Sequence, residues 1–186
     1  MSTTPSLAET KTTQDLGYPG DQADTVPSTR KTMQNESATA IDFGVPVAPG
    51  TLAGTVKPIA NDTDAGLCVG IAMRDPTVVQ ANPSDNVLNY PRYKELAVMD
   101  AGHIYAMAAE NVTDGDQVLI ITGSSAAQAQ ATCFGSSHGA GGAAGSGRVA
   151  FLGAVWRAPK GASKSIAAGT VAIIEMTNQI LGVTTT

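Results

Sequence analysis

The sequence predicts an all-β protein: a small β-barrel or β-sandwich body with an extended, non-globular N-terminal arm. Three observations carry this reading. Residues 1–38, MSTTPSLAETKTTQDLGYPGDQADTVPSTRKTMQNESA, are polar and hold almost no apolar run. From Ile41 onward, short β-type runs are broken by Gly, Pro, Asn and Asp at the spacing of ~8–12 residues that marks sandwiches and barrels. Aromatics are only 4% against 42% hydrophobic residues, so the core is one of Val, Ile, Leu, Met and Ala. The expected division is an arm over 1–38 and a β body over 39–186.

The arm is punctuated by Pro5, Gly17, Pro19, Gly20 and Pro27. Alone it cannot offset roughly 1–2 kcal/mol per residue of backbone ordering, so it is expected to order only against a partner. Fully extended, it reaches on the order of 130 Å.

In the body, AIDFGVPVAPGT reads as a strand ending in a Pro49-Gly50 turn, with Phe43, Val45 and Val47 at period two on one side. TVKPIANDTDAG reads as a short strand and a loop, and LCVGIAM (67–73) as a strand. Residues 77–94 read as a long irregular connection, a kind usually tied to function or contact. ELAVMDAGHIYAMAAENV has helical propensity, but Asp100-Ala101-Gly102 divides it, and the reading is two strands joined by a hairpin there. Thr113–Asp116 is a tight turn with Gly115 where φ must be positive. QVLIIT and QAQATCF read as strands, the second half-exposed, 135–147 as a low-complexity loop, and RVAFLGAVWRA as a long strand bent at Gly153. VAIIEM closes the body, and QILGVTTT is a candidate further strand.

Composition bounds the function. A chain of 186 residues fits one domain. Charged residues are 15%, below the usual quarter, which suits a surface packed against neighbours. Net charge is -5 and no stripe of Lys and Arg exists, so nucleic acid is not an expected partner. No apolar run approaches the ~18 residues of a membrane span, and no basic-then-apolar signal opens the chain. Membrane is therefore not an expected partner, and synthesis in a reducing cytoplasm is expected. Cys68 and Cys133 lie in β-type runs and read as buried thiols.

Motifs for chemistry fail on context. Gly135-Ser136-Ser137-His138-Gly139 matches a nucleophile elbow, but the AGGAAGSG that follows cannot form the helix the elbow needs. Gly139, Gly141 and Ala144 resemble a dinucleotide fingerprint, yet a strand follows them. Cys68, His103, Cys133 and His138 have no metal-ligand spacing. Asn61–Asp64 and Asp114–Asp116 lack a calcium loop and read as turns. Glu110 and Glu175 are isolated acids. The reading is no catalytic residue, no cofactor, no metal and no enzyme. Trp156 reads as core, with an inter-subunit anchor as the other reading.

The order YPGDQAD (18–24), Pro27, Asn35-Glu36, AIDFGVPVAPGT (40–51), LCVGIAMRDPT (67–77), LAVMDAGHIYAMAAENVTDGDQVLI (96–119), RVAFLGAVW (148–156) and GTVAIIEM (169–176) resembles the structural cement, or head-decoration, proteins of tailed bacteriophages. The loop at 135–147 and the stretch at 81–93 depart from that pattern. The resemblance implies a homotrimer on the outer surface of the virion capsid, stapling neighbouring capsomers of the major coat protein. The residues expected to meet the coat protein are Leu16, Tyr18, Pro19, Gly20, Asp24, Val26 and Pro27. Two other classes stay open: a minor tail or baseplate protein, and a carbohydrate-binding adhesion module. The latter would need exposed aromatics, for which Tyr90 and Tyr93 are the candidates.

Overall fold

The computed structural model describes residues 17–75, 89–122, 134–136 and 147–177. Strands dominate it, and two rings of strands share one long member.

The first ring uses β1 (Thr29–Asn35), β3 (Pro46–Pro49), β4 (Thr55–Pro58), β5 (Gly70–Ala72) and β7 (Glu95–Met107). β1 pairs with β4 in parallel; β4–β3, β3–β5 and β5–β7 are antiparallel. β7 then pairs back onto β1, with Lys31 opposite Val98 and Met33 opposite Leu96, which closes a five-stranded barrel. Closure leaves no free edge in this ring. Its interior holds Ile41, Phe43, Val45, Val47, Leu96 and Val98, with Tyr90 edge-on to Phe43 at 5.0 Å between ring centroids. Phe43, Val45 and Val47 thus share one side, as their spacing predicts. Two short strands, β2 (Ile41–Asp42) and β6 (Asn89–Tyr90), pair beside the barrel. The stretch 61–66, read as part of a loop, holds a one-turn helix, α1 (Asp62–Gly66); Asn61 caps it by accepting from the Asp64 N–H at 2.9 Å.

The second ring continues from β7 through β13 (Val171–Met176), β11 (Arg148–Arg157), β9 (Gln117–Ile121) and β10 (Phe134–Ser136). β10 returns to the end of β7: Ala108 bridges Phe134, and the Ala109 N–H donates to the Phe134 carbonyl at 2.7 Å. A small pair, β8 (Val112–Thr113) with β12 (Ser165–Ile166), lies beside it. Trp156 is fully buried here, packs edge-on to Phe134, and donates its indole N–H to the Gly135 carbonyl at 2.8 Å. It is core, not an exposed anchor.

β7 serves both rings because of one extra residue. Thr29 pairs with Ala101 and Arg30 with Met99, so Asp100 has no counterpart in β1. This is a β-bulge, and it reverses the side-chain alternation. Leu96 and Val98 point into the first ring, while Met99, Ile104 and Ala106 join the core of the second. The hairpin expected at Asp100-Ala101-Gly102 is therefore absent. The chain runs straight on through a bulge, with Gly102 at φ +123. Residues 95–107 are strand and not helix, as the sequence predicts.

Gly153 bends β11 as its sequence position predicts: its φ is +73, and the β9 register shifts between Ala150 and Val155. The strand read over 67–73 is shorter, Gly70–Ala72. The expected arm boundary at residue 38 also moves. Residues 29–35 are β1 and complete the barrel, and residues 17–27 lie on β7. β1 escapes a hydropathy reading because its Thr29, Arg30, Lys31 and Thr32 are exposed; backbone ladders to β7 and β4 hold it. Residues 1–16, most of 77–94, the loop 137–146 and the tail 178–186 lie outside the described residues, so readings there stay expectations.

Candidate functional site

The segment Gly17–Pro27 forms a strap over β7. Pro19 and Gly20 occupy the middle of a turn closed by the Asp21 N–H donating to the Tyr18 carbonyl at 3.0 Å. Pro presets φ at the second position, and Gly20 at φ +88 meets the positive φ that a type II turn needs at the third. The turn is then stitched down. The Gly20 N–H donates to Tyr105 O at 2.8 Å, the Tyr105 N–H to Asp21 O at 2.9 Å, and the Ala23 N–H to His103 O at 2.8 Å. The Arg74 N–H donates to Gly20 O at 2.8 Å. Gly20 and Gly44, both at positive φ, meet backbone to backbone.

Side chains reinforce the strap. The Arg74 guanidinium lies 4.5 Å above the Tyr18 ring centroid and 3.4 Å from the Asp21 carboxylate. Asp24 pairs with His103 Nδ1, His103 Nε2 lies 4.0 Å from Glu175, and Glu175 meets Arg157. A polar ladder therefore runs from the strap across β7 and β13 to β11.

The expected coat-contact residues separate on this geometry. Tyr18, Asp24, Val26 and Pro27 are exposed, Tyr18 at 66% and Val26 at 44%. Pro19 is half-buried against Gly44. Gly20 is buried, and its backbone is spent on Tyr105 and Arg74, so its role is to fasten the turn. Leu16 lies outside the described residues. Among the described residues, three exposed apolar side chains have no counterpart in the sequence reading: Leu52, Leu67 and Leu152, at 58–69%. Tyr93, expected to be exposed, is so at 62%. It adopts φ +64 with Arg92 4.6 Å above its ring, and its N–H donates to Asn35 O at 2.7 Å. Leu67 and Leu152 sit in the apolar β-type runs LCVGIAM and RVAFLGAVWRA. Tyr90, the other sugar-stacking candidate, is wholly buried and donates its hydroxyl to Met73 O at 2.7 Å.

The titratable groups are tied into structure. Glu36 accepts from the Thr55 hydroxyl at 2.6 Å and the Thr51 N–H at 2.7 Å, which holds its carboxyl below the ordinary range. Asp62 accepts from the Thr122 hydroxyl and the Gly147 N–H, with the same effect. Burial pushes the Asp42 carboxyl up, and the Cys68 thiol up to about 12, far from a reactive thiolate. Glu110 pairs with Arg148. Among the described residues no cluster of His, Cys, Asp and Glu could hold a metal ion, and no helix is long and apolar enough to cross a membrane. Ser137, His138 and Cys133 lie outside the described residues.

Residues 8–177 match the family described as structural cement protein (E217 gp24/Pam3 gp6). The chain belongs to this phage cement family. The match spans both rings and the strap. A chain in the solved capsid of Myoviridae phage XM1 has the same fold, with a TM-score of 0.62, 17% identity, and coverage of 95% of this chain and 98% of that one. No curated protein matches. The cement protein is thus a capsid-associated structural component of a virion, with a β-barrel body.

Proposed function

We propose that this cement protein binds the outside of the phage head as a homotrimer, contacts the major coat protein, and staples neighbouring capsomers so that the DNA-filled shell resists rupture. The family match over residues 8–177 is the observation that carries the reading, because it covers the strap as well as the body. The contact surface starts with Tyr18, Asp24, Val26 and Pro27 on the strap, with residues 1–16, Leu16 included, extending from it. Burying an apolar side chain such as Leu16 or Val26 contributes roughly 1.5–3 kcal/mol before ordering costs. One arm therefore binds weakly, and three arms on one axis act by avidity. The low charge density and net charge of -5 suit a protein partner over nucleic acid.

The test follows from where β1 lies. Deleting residues up to 38 would remove a barrel strand, so the informative variants stop short of it: deletion of residues 2–16, and Tyr18→Asp with Val26→Asp. Both should remain folded trimers by sedimentation. Both should decorate heads poorly, and those heads should break at lower temperature. Full occupancy of heads by both variants, seen by cryo-EM, would refute contact through the strap and the segment before it. A monomer at particle-like concentrations would refute the avidity argument.

A further inference from the structure

The turn that leads into β7 carries a tyrosine where the backbone calls for glycine. Pro91, Arg92, Tyr93 and Lys94 form it, and the Lys94 N–H closes it by donating to Pro91 O at 3.1 Å. Tyr93 fills the third position at φ +64, and every other positive φ among the described residues belongs to a glycine. Glycine adopts that region freely, whereas a bulky side chain is strained there. The neighbouring strand holds the strain in place. The Tyr93 N–H donates to Asn35 O at 2.7 Å, and Gln34 Nε2 donates to Tyr93 O at 3.0 Å. The turn alone would be served better by glycine, so the tyrosine points to a use for its side chain.

That side chain serves no core. The ring is exposed, with the Arg92 guanidinium 4.6 Å from its centroid. On the other side of the end of β1 stands a second exposed apolar residue, Leu52, in the hairpin between β3 and β4. Its N–H donates to the carboxylate of Glu36, the residue after Asn35. Tyr93, Arg92 and Leu52 therefore flank the same end of the first barrel. Tyrosine and arginine are the residue types enriched at the energetic centres of protein contacts. Charge narrows the occupant. Arg92 and Lys94 are exposed, and among the described residues neither meets a carboxylate. Glu36 is spent on the hairpin, where it accepts from Thr51, Leu52 and Thr55. Glu95, next in the chain, is exposed, so the turn sets two cations against one anion in a chain of net charge -5. A local excess of cations around an aromatic ring is complementary to carboxylates on another protein.

We propose that the Tyr93 turn, with Leu52, is a second docking site for the coat protein, which it meets through a carboxylate-bearing surface packed on the tyrosine ring. This second attachment point presupposes the coat binding proposed above and is separate from the strap. β7 sets the spacing between the two. The turn enters the strand at Glu95, and the strap is pinned to it at His103 and Tyr105. At ~3.3 Å per residue, Glu95 and His103 lie roughly 25 Å apart. An arginine lies over an exposed tyrosine at each end, Arg74 over Tyr18 and Arg92 over Tyr93. Two contacts held apart by one strand let a single body bridge two places on the shell.

Full-length Tyr93→Gly and Arg92→Glu test the site on phage heads stripped of cement protein, with bound protein measured by cosedimentation. Glycine removes the ring and the strain together, so Tyr93→Gly should melt no lower than the wild type and yet bind heads at least tenfold more weakly. Arg92→Glu, at an exposed position, should lose at least as much with an unchanged melting temperature. Wild-type affinity in both variants would overturn the proposal and leave binding through the strap standing. A wild-type protein that does not bind the heads would overturn the coat-binding reading, and this site with it. Weaker binding that comes with a lower melting temperature in both variants would make the turn structural and overturn the site. A shift of both free variants to a smaller sedimenting species would make a second copy the occupant, and wild-type binding to host polysaccharide that both variants lose would make it a glycan. Either result would overturn the coat contact.

Discussion

Gly20→Ala tests whether the strap is fastened by backbone fit. At φ +88, an alanine costs about 1–2 kcal/mol from the left-handed conformation alone. Its Cβ would lie 2.7 Å from the Arg74 nitrogen and 2.9 Å from the Gly44 nitrogen. Both neighbours are backbone, so the clash is relieved only by lifting the strap. Lifting gives up the four hydrogen bonds joining residues 20–23 to Arg74, His103 and Tyr105. At ~0.5–1.5 kcal/mol each they sum to about 2–6 kcal/mol. Both rings stay paired without the strap, so the loss is confined to the strap's own contacts. Gly54→Ala is the control: φ is +77, but nothing lies within 4 Å of the new Cβ, so only the conformational cost applies. The assay is amide hydrogen exchange. In Gly20→Ala the Ala23, Arg74 and Tyr105 amides should exchange at least thirtyfold faster, about 2 kcal/mol, while the β11–β13 ladder keeps its protection. Gly54→Ala should leave all three unchanged. Equal exchange at Tyr105 in the two variants would refute the account of the strap.

Two further outcomes follow from the geometry. Glu36→Gln should destabilise the protein at pH 7, because the carboxylate collects the Thr55 hydroxyl and the Thr51 N–H. The Glu36 carboxyl is held below its ordinary 4.5, so its contribution is present above that value and is lost as pH falls through the folded-state value. Urea unfolding at pH 7 and at about pH 3 should therefore show the deficit shrinking in acid, and an equal deficit at both would contradict it. Trp156→Phe should cost about 2–4 kcal/mol in urea unfolding, since it opens a cavity and removes the indole N–H that donates to the buried Gly135 carbonyl. A cost under 1 kcal/mol would mean the indole N–H contributes nothing net.

The all-β class was legible because period two and turn spacing are local properties. Phe43, Val45 and Val47 alternate, and Gly115 and Gly153 sit where positive φ is required. What was not legible was how one strand serves two cores. Asp100-Ala101-Gly102 carries turn chemistry, and turn and bulge draw on the same residues. Only the pairing of Thr29 and Arg30 across the strand distinguishes them, and that contact is non-local. β1 was missed for a related reason. A strand whose outward side chains are Thr, Arg and Lys contributes a backbone ladder and little apolar area, so hydropathy places it in the arm.

The exposed face of the strap was half legible for the same physical reason. Tyr18, Val26 and Pro27 stand out as apolar residues in a polar stretch, and the fold keeps them exposed. Gly20 stood in the same motif, yet its chemistry is conformational: a positive φ and a Cβ-free approach to Gly44. The turn thus divides its work, with the glycine and Asp21 fastening it inward and Tyr18 facing outward. Leu67 and Leu152 show the converse. Nothing in an apolar β-type run says which residue the fold leaves at the surface, since that depends on where β13 ends and β5 begins along one edge of β7. A surface made by the meeting of two strand ends has no local signature.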